Sequence, residues 1–119
     1  MDASTPGATH PIVLVTSGEA AAQAGLEVLS NGGNAMDAAL TIALAQIVLS
    51  AGSWNSFAGI LGLVTFDAET GEIHSLHAGY GTFANETEAL TIPASGEPSG
   101  RTALVPGFMR GVEAAHTRF

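Results

Sequence analysis

The stretch Ala24-Gly25-Leu26-Glu27-Val28-Leu29-Ser30-Asn31-Gly32-Gly33-Asn34-Ala35-Met36-Asp37-Ala38-Ala39 constrains this 119-residue chain more than any other. It reads as a helix, a double-glycine stop and a second helix. Ala22, Gly25, Leu26 and Leu29 fall at i, i+3, i+4 and i+7, which makes one apolar stripe. Gly25 on that stripe predicts close approach of a neighbouring element. Gly32-Gly33 supply the left-handed termination. Asn34 then caps the second helix, with Asp37 in its first turn, where the helix dipole favours negative charge. Thr16 and Glu19 have capping-box spacing for a first helix starting near Gly18. From Ala35 to Leu49 apolar residues occur on every side, the pattern of a central helix.

The remaining segments alternate between strand and turn signals. Residues 1–9 are small and polar and read as a loose tail. Ile12-Val13-Leu14-Val15-Thr16 suits a strand covered on both faces. Ser50 to Ser56 is a loop. Ile60 to Phe66 reads as a strand, Asp67 to Gly71 as a hairpin turn, and Glu72 to Leu76 as the return strand. Residues 79–103 read as a long, partly ordered loop. Pro106 sits where a helix begins, and Phe108, Val112, Ala115 and Phe119 follow on one face. The chain stops on that stripe without a cap, which predicts a cut or gene boundary there.

Composition narrows the function classes. Charged residues make up 12% of the chain against 46% hydrophobic, so much of the surface is expected to lie against another chain. Net charge is −8, with three Arg and no Lys, which disfavours nucleic acid and anionic membranes. There is no Cys, so disulfides, thiolate metal sites and Cys nucleophiles are excluded within the chain. The N-terminal residues carry no signal-peptide pattern, from which a cytoplasmic location is expected. The apolar run Ala35–Ala51 is shorter than the ~20 residues of a membrane span and contains Asp37, Thr41 and Gln46.

Four stretches, in this order, resemble the gamma-glutamyltransferase family. They are the two-helix segment 20–39, the hairpin Val64-Thr65-Phe66-Asp67-Ala68-Glu69-Thr70-Gly71-Glu72-Ile73, the motif Val105-Pro106-Gly107, and Gly111-Val112-Glu113-Ala114-Ala115-His116-Thr117-Arg118-Phe119. The resemblance implies an α+β fold, part of the four-layer αββα sandwich of N-terminal-nucleophile hydrolases, incomplete in this chain. Residues 1–119 would be the N-terminal segment of the large subunit. The family's nucleophile is a Thr opening a separate downstream subunit, whose own α-amine acts as base. The resemblance thus implies no catalytic residue here, no cofactor and no metal. It implies a partner chain carrying the Thr, and a small amide or peptide-like substrate.

Two departures from the family bear on that substrate. The family places an Arg shortly after the hairpin's second strand, where a guanidinium fork suits the substrate carboxylate. Here the segment is Leu76-His77-Ala78-Gly79-Tyr80-Gly81-Thr82-Phe83, and the nearest Arg is Arg101. His77 and Tyr80 occupy the place of the substrate-gripping segment and are the candidate substrate-binding residues. The family's glycine-rich run is replaced by Trp54-Asn55-Ser56-Phe57-Ala58-Gly59-Ile60-Leu61-Gly62, which predicts a reshaped, more apolar pocket.

Other candidates have simpler readings. His74 and His77, three apart on a strand, fall on opposite faces and make a poor metal pair. Asp67 and Glu69 suit a turn better than a cation site. Asn85-Glu86-Thr87 fits a glycosylation sequon but has no secretory signal beside it. Three functional readings follow. The first is a non-nucleophile-bearing subunit of a hydrolase or acyltransferase with a substrate other than a standard gamma-glutamyl amide. The second is an inactive structural or binding subunit of the same fold. The third is a truncated product with uncovered apolar faces.

Overall fold

The computed structural model describes residues 13, 15, 18–53, 55–92 and 99–119. The tail 1–9, most of the strand expected over Ile12–Thr16, the Thr16 half of the capping box, and Trp54 lie outside the described residues. The chain divides into two compact units, Met1–Trp54 and Asn55–Phe119.

The first unit is a helical hairpin of α1 (Glu19–Ser30) and α2 (Ala35–Leu49). The helix starts next to Gly18, as the sequence predicts, but Gly18 itself is the N-cap, without a side-chain cap hydrogen bond, and Glu19 is the first helical residue, so it does not stand three residues after the cap as a capping box requires. At its end, Gly32 adopts φ +90, a conformation that favours glycine. The Gly33 amide donates to Val28 O at 2.9 Å and the Gly32 amide to Leu29 O at 3.2 Å, a Schellman termination. Gly25 is buried, and a Cβ there would overlap Cδ1 of Ile42 on α2. The missing side chain is what lets the two helices close on each other.

Asn34 begins α2 with a complete capping box. Its Oδ1 accepts from the Met36 amide at 2.8 Å and the Asp37 amide at 2.9 Å, and Asp37 Oδ2 accepts from the Asn34 amide at 3.0 Å. Asn34→Ala should lower stability by about 1 kcal/mol. The check is the urea midpoint of the far-ultraviolet helical signal. Met36, Ala38, Leu40 and Ile47 of α2 are buried, whereas Val48 and Leu49 at its end are exposed.

The second unit is built on an antiparallel hairpin, β1 (Leu61–Phe66) and β2 (Ile73–Ala78). The return strand starts one residue later and runs two residues further than the sequence predicts. The added pairs are Gly62 with His77 and Leu61 with Ala78. The turn is closed by Asp67, whose carboxylate accepts from the Glu69 amide at 2.8 Å and the Thr70 hydroxyl at 2.9 Å. Those bonds hold its carboxyl below the usual range, the Glu69 amide first.

One face of the hairpin carries Leu61, Leu63, Leu76 and Ala78, and α3 (Phe108–Arg118) packs on it. Phe108, Gly111 and Ala115 are the buried stripe of α3. His74 lies on this face too, its ring 5.5 Å from that of Phe119. The opposite face carries Gly62, Val64, Phe66, Ile73, Ser75 and His77. Val64, Phe66 and Ile73 there are 74%, 64% and 72% exposed. The two histidines thus lie on opposite faces, as period-2 alternation requires.

Candidate functional site

Three stretches of the second unit meet where β2 ends: 57–62, 76–83 and 103–108. The contacts are made mainly by backbone. The Gly81 amide donates to Val105 O at 3.0 Å and the Val105 amide to Gly81 O at 2.8 Å. The Phe108 amide donates to Gly59 O at 3.1 Å. A Cβ on Gly107 would overlap the carbonyl oxygen of Gly79 and lie 2.5 Å from that of Ala78. The motif Val105-Pro106-Gly107 is therefore the seat on which the Gly79-Tyr80-Gly81 segment rests.

His77 is exposed on the outer face of β2, opposite Gly62, whose missing side chain leaves open space beside it. Its ring covers Gly79, where a Cβ would lie 2.8 Å from Cε1. Tyr80 is half exposed, at 52%. Neither side chain makes a hydrogen bond to another described residue. Phe57 meets the Phe108 ring edge-on at 6.4 Å, and so braces the start of α3. Ile60 remains half exposed. The corner thus presents an imidazole, a phenol and apolar surface.

Arg101 is committed elsewhere. Its Nε donates to Glu86 Oε2 at 2.8 Å and its Nη2 to Glu86 Oε1 at 2.9 Å, a bidentate fork. Nη2 also donates to Glu88 O and to Thr91 Oγ1, both at 3.0 Å. The Glu86 side chain is only 9% exposed, the Arg101 side chain 41%. The guanidinium first, and the Glu88 amide second, pull the Glu86 carboxyl down to about 2. The sequence held no periodic signal for this fork, because its partners are 15 residues apart; among the described residues between them, Ala89–Thr91 and Gly100–Thr102 form short 3-10 helices where the sequence reads as loop. Phe83, Asn85, Glu86, Thr87, Glu88 and Arg101 line an open cleft of about 320 Å³.

The fork predicts a pH dependence. A carboxyl lowered in the folded state stabilises it above the unfolded value of 4.5 and loses that contribution as pH falls through about 2. Between those limits the Glu86–Arg101 fork should loosen, and at neutral pH nothing should change. A carboxyl NMR titration of Glu86 checks this; a midpoint near 4.5 contradicts it.

Among the described residues no group of three His, Asp or Glu side chains is placed to hold a metal ion. No helix among them is long and apolar enough to cross a membrane.

The family model of gamma-glutamyltranspeptidase matches residues 21–119. The chain belongs to the gamma-glutamyltranspeptidase family. Its fold is similar to that of a gamma-glutamyltranspeptidase from Pseudomonas nitroreducens solved with L-DON, at 23% identity and a TM-score of 0.71. That likeness covers 93% of this chain and 34% of the other. It is also similar to the Bacillus anthracis transpeptidase CapD, at 22% identity and a TM-score of 0.68, covering 92% of this chain and 34% of that one. No curated protein matches the chain. The three helices and two-stranded sheet are thus part of the N-terminal-nucleophile hydrolase fold, and the chain spans about a third of the length of these solved relatives.

Proposed function

We propose that residues 1–119 are the N-terminal, non-nucleophile-bearing segment of a gamma-glutamyltranspeptidase-like amide hydrolase or acyltransferase. The segment works when assembled with chain that supplies an N-terminal Thr. There the Thr hydroxyl attacks the amide carbonyl, its α-amine takes the proton, and the amine product leaves. Water or a second amine then releases the acyl group. This chain's part is to shape the acyl-donor pocket. The family match supports the assembly, and so does the bare apolar face of Val64, Phe66 and Ile73.

The observation that carries the substrate reading is the absence of a guanidinium from residues 76–83. Residues 76–83 contain no Arg or Lys, and Arg101 is held by Glu86. A donor with an α-carboxylate would meet no cation in this segment. The acyl group is instead one whose end here is neutral, contacted by His77 and Tyr80.

The test is native mass spectrometry of the protein produced from its own gene neighbourhood, followed by amide turnover. A second chain beginning at Thr, and at least tenfold higher kcat/KM for neutral acyl amides than for gamma-glutamyl amides, is the expected result. A preference for the gamma-glutamyl amide overturns the substrate reading. Turnover by the chain with no partner overturns the assembly reading. The departures at 76–83 and 54–62 favour a second reading, an inactive structural or binding subunit. An assembly lacking an N-terminal Thr and hydrolysing nothing selects it.

A further inference from the structure

The loop between β2 and α3 carries two ties, one nested in the other. The outer tie is the Gly81–Val105 backbone pair, which seats the candidate substrate segment. The inner tie is the Glu86–Arg101 fork with its added bonds to Glu88 O and Thr91 Oγ1. We propose that Arg101 is a positioning residue, whose fork on Glu86 holds the Gly79-Tyr80-Gly81 segment in register with Val105. Its bearing on substrate rests on the function proposed above; the tie itself does not.

An isolated pair at a surface holds little, because water and salt screen it and two long side chains must be ordered. This one differs in three respects. It is bidentate, so both direction and distance are fixed. The guanidinium also bonds a carbonyl and a hydroxyl, which ties residues 86, 88 and 91 to 101 at once. The carboxylate is anchored in turn, since Glu86 Oε1 accepts from the Glu88 amide at 2.8 Å and the Glu86 amide donates to Phe83 O at 2.9 Å.

The geometry then couples the inner tie to the outer one. Without the fork, the Gly81–Val105 pair must close a loop of 23 intervening residues. With it, only residues 82–85 and 102–104 separate the two ties. The entropic cost of closing a loop of n residues grows as (3/2)RT ln n, so the closing probability falls as the three-halves power of length and the shorter ring closes about sixfold more readily. Gly81 brings no side-chain packing to its own pairing, which leaves it dependent on such a constraint.

Amide hydrogen exchange on the full chain, and on its assembly where a partner co-purifies, tests the proposal. Arg101→Ala and Glu86→Gln should each speed exchange at the Gly81 and Val105 amides about sixfold. The β1–β2 ladder amides should stay at wild-type rates. Arg101→Lys keeps the charge but not the fork, and should recover only part of the protection. The double swap Glu86→Arg with Arg101→Glu should recover more than either single change. Unchanged exchange at Gly81 and Val105 overturns the proposal. So does uniform acceleration across the ladder, which marks general stability and no local positioning. Inactivity of the wild-type assembly, with Gly81 protected and the variants behaving as stated, counts against the proposed function and leaves the tie standing.

Discussion

Gly107→Ala should cost about 3 kcal/mol and unseat the 79–81 segment from the start of α3. The new Cβ would meet backbone, not a side chain that can rotate away. It would overlap Gly79 O and sit 2.5 Å from Ala78 O and 2.7 Å from Ala78 C. Gly107 has φ −96, so alanine is tolerated by its own backbone and the whole effect is steric. Relief requires moving either β2 or α3. Both are held, by the ladder on one side and by the Phe108 amide on Gly59 O on the other. Urea unfolding measures the loss, and a change below 1 kcal/mol contradicts the packing described here. In an active assembly the same variant should raise KM for the acyl donor, because the segment carrying Tyr80 moves with its seat.

Gly111→Ala sets two effects against each other, and packing should win. Inside an exposed helix the change gains about 1 kcal/mol from helix propensity. Here the added methyl would lie 2.8 Å from Ala78 Cβ, 2.9 Å from Leu61 Cβ and 3.0 Å from Leu61 Cδ2. Two of those atoms are fixed to strand backbone, so the helix must lift from the hairpin. Overpacking of this kind costs about 1–3 kcal/mol, and contact with two strand-fixed atoms puts it at about 2–3 kcal/mol, which leaves a net loss of about 1–2 kcal/mol. The exposed neighbour supplies the control. Ala114→Gly should lose about 1 kcal/mol through propensity alone. If Gly111→Ala stabilises the protein, α3 does not pack on the hairpin as closely as the structure describes.

Sequence periodicity is legible wherever one element repeats against one environment. The Gly32-Gly33 stop, the Asn34 cap, the hairpin and the helix after Pro106 were readable for that reason. Each is decided by residues within five positions of one another: a left-handed glycine, a side-chain acceptor, an alternating face, a fixed proline φ. The family resemblance was readable in the same motifs, in order. The end of β2 was less so. Its last two pairs depend on Leu61 and Gly62 across the sheet, and on α3 above Ala78, so the strand outran its own composition.

What the sequence determined by itself, then, is the set of local elements among the described residues from α1 onward, the sparse charge, and the missing Arg after β2. Only the tertiary structure decided where the other groups went. It placed Gly107 and Gly111 as contact points, because their meaning lies in the atoms opposite them. It set His74 against Phe119 and left His77 on the open face. It also joined Arg101 to Glu86 across a stretch with no periodicity to reveal it. The physical reason is common to all three. Hydrogen-bonded turns and helix stripes are set by nearest neighbours, whereas steric closure and ion pairing depend on which distant residues the fold brings within a few ångströms.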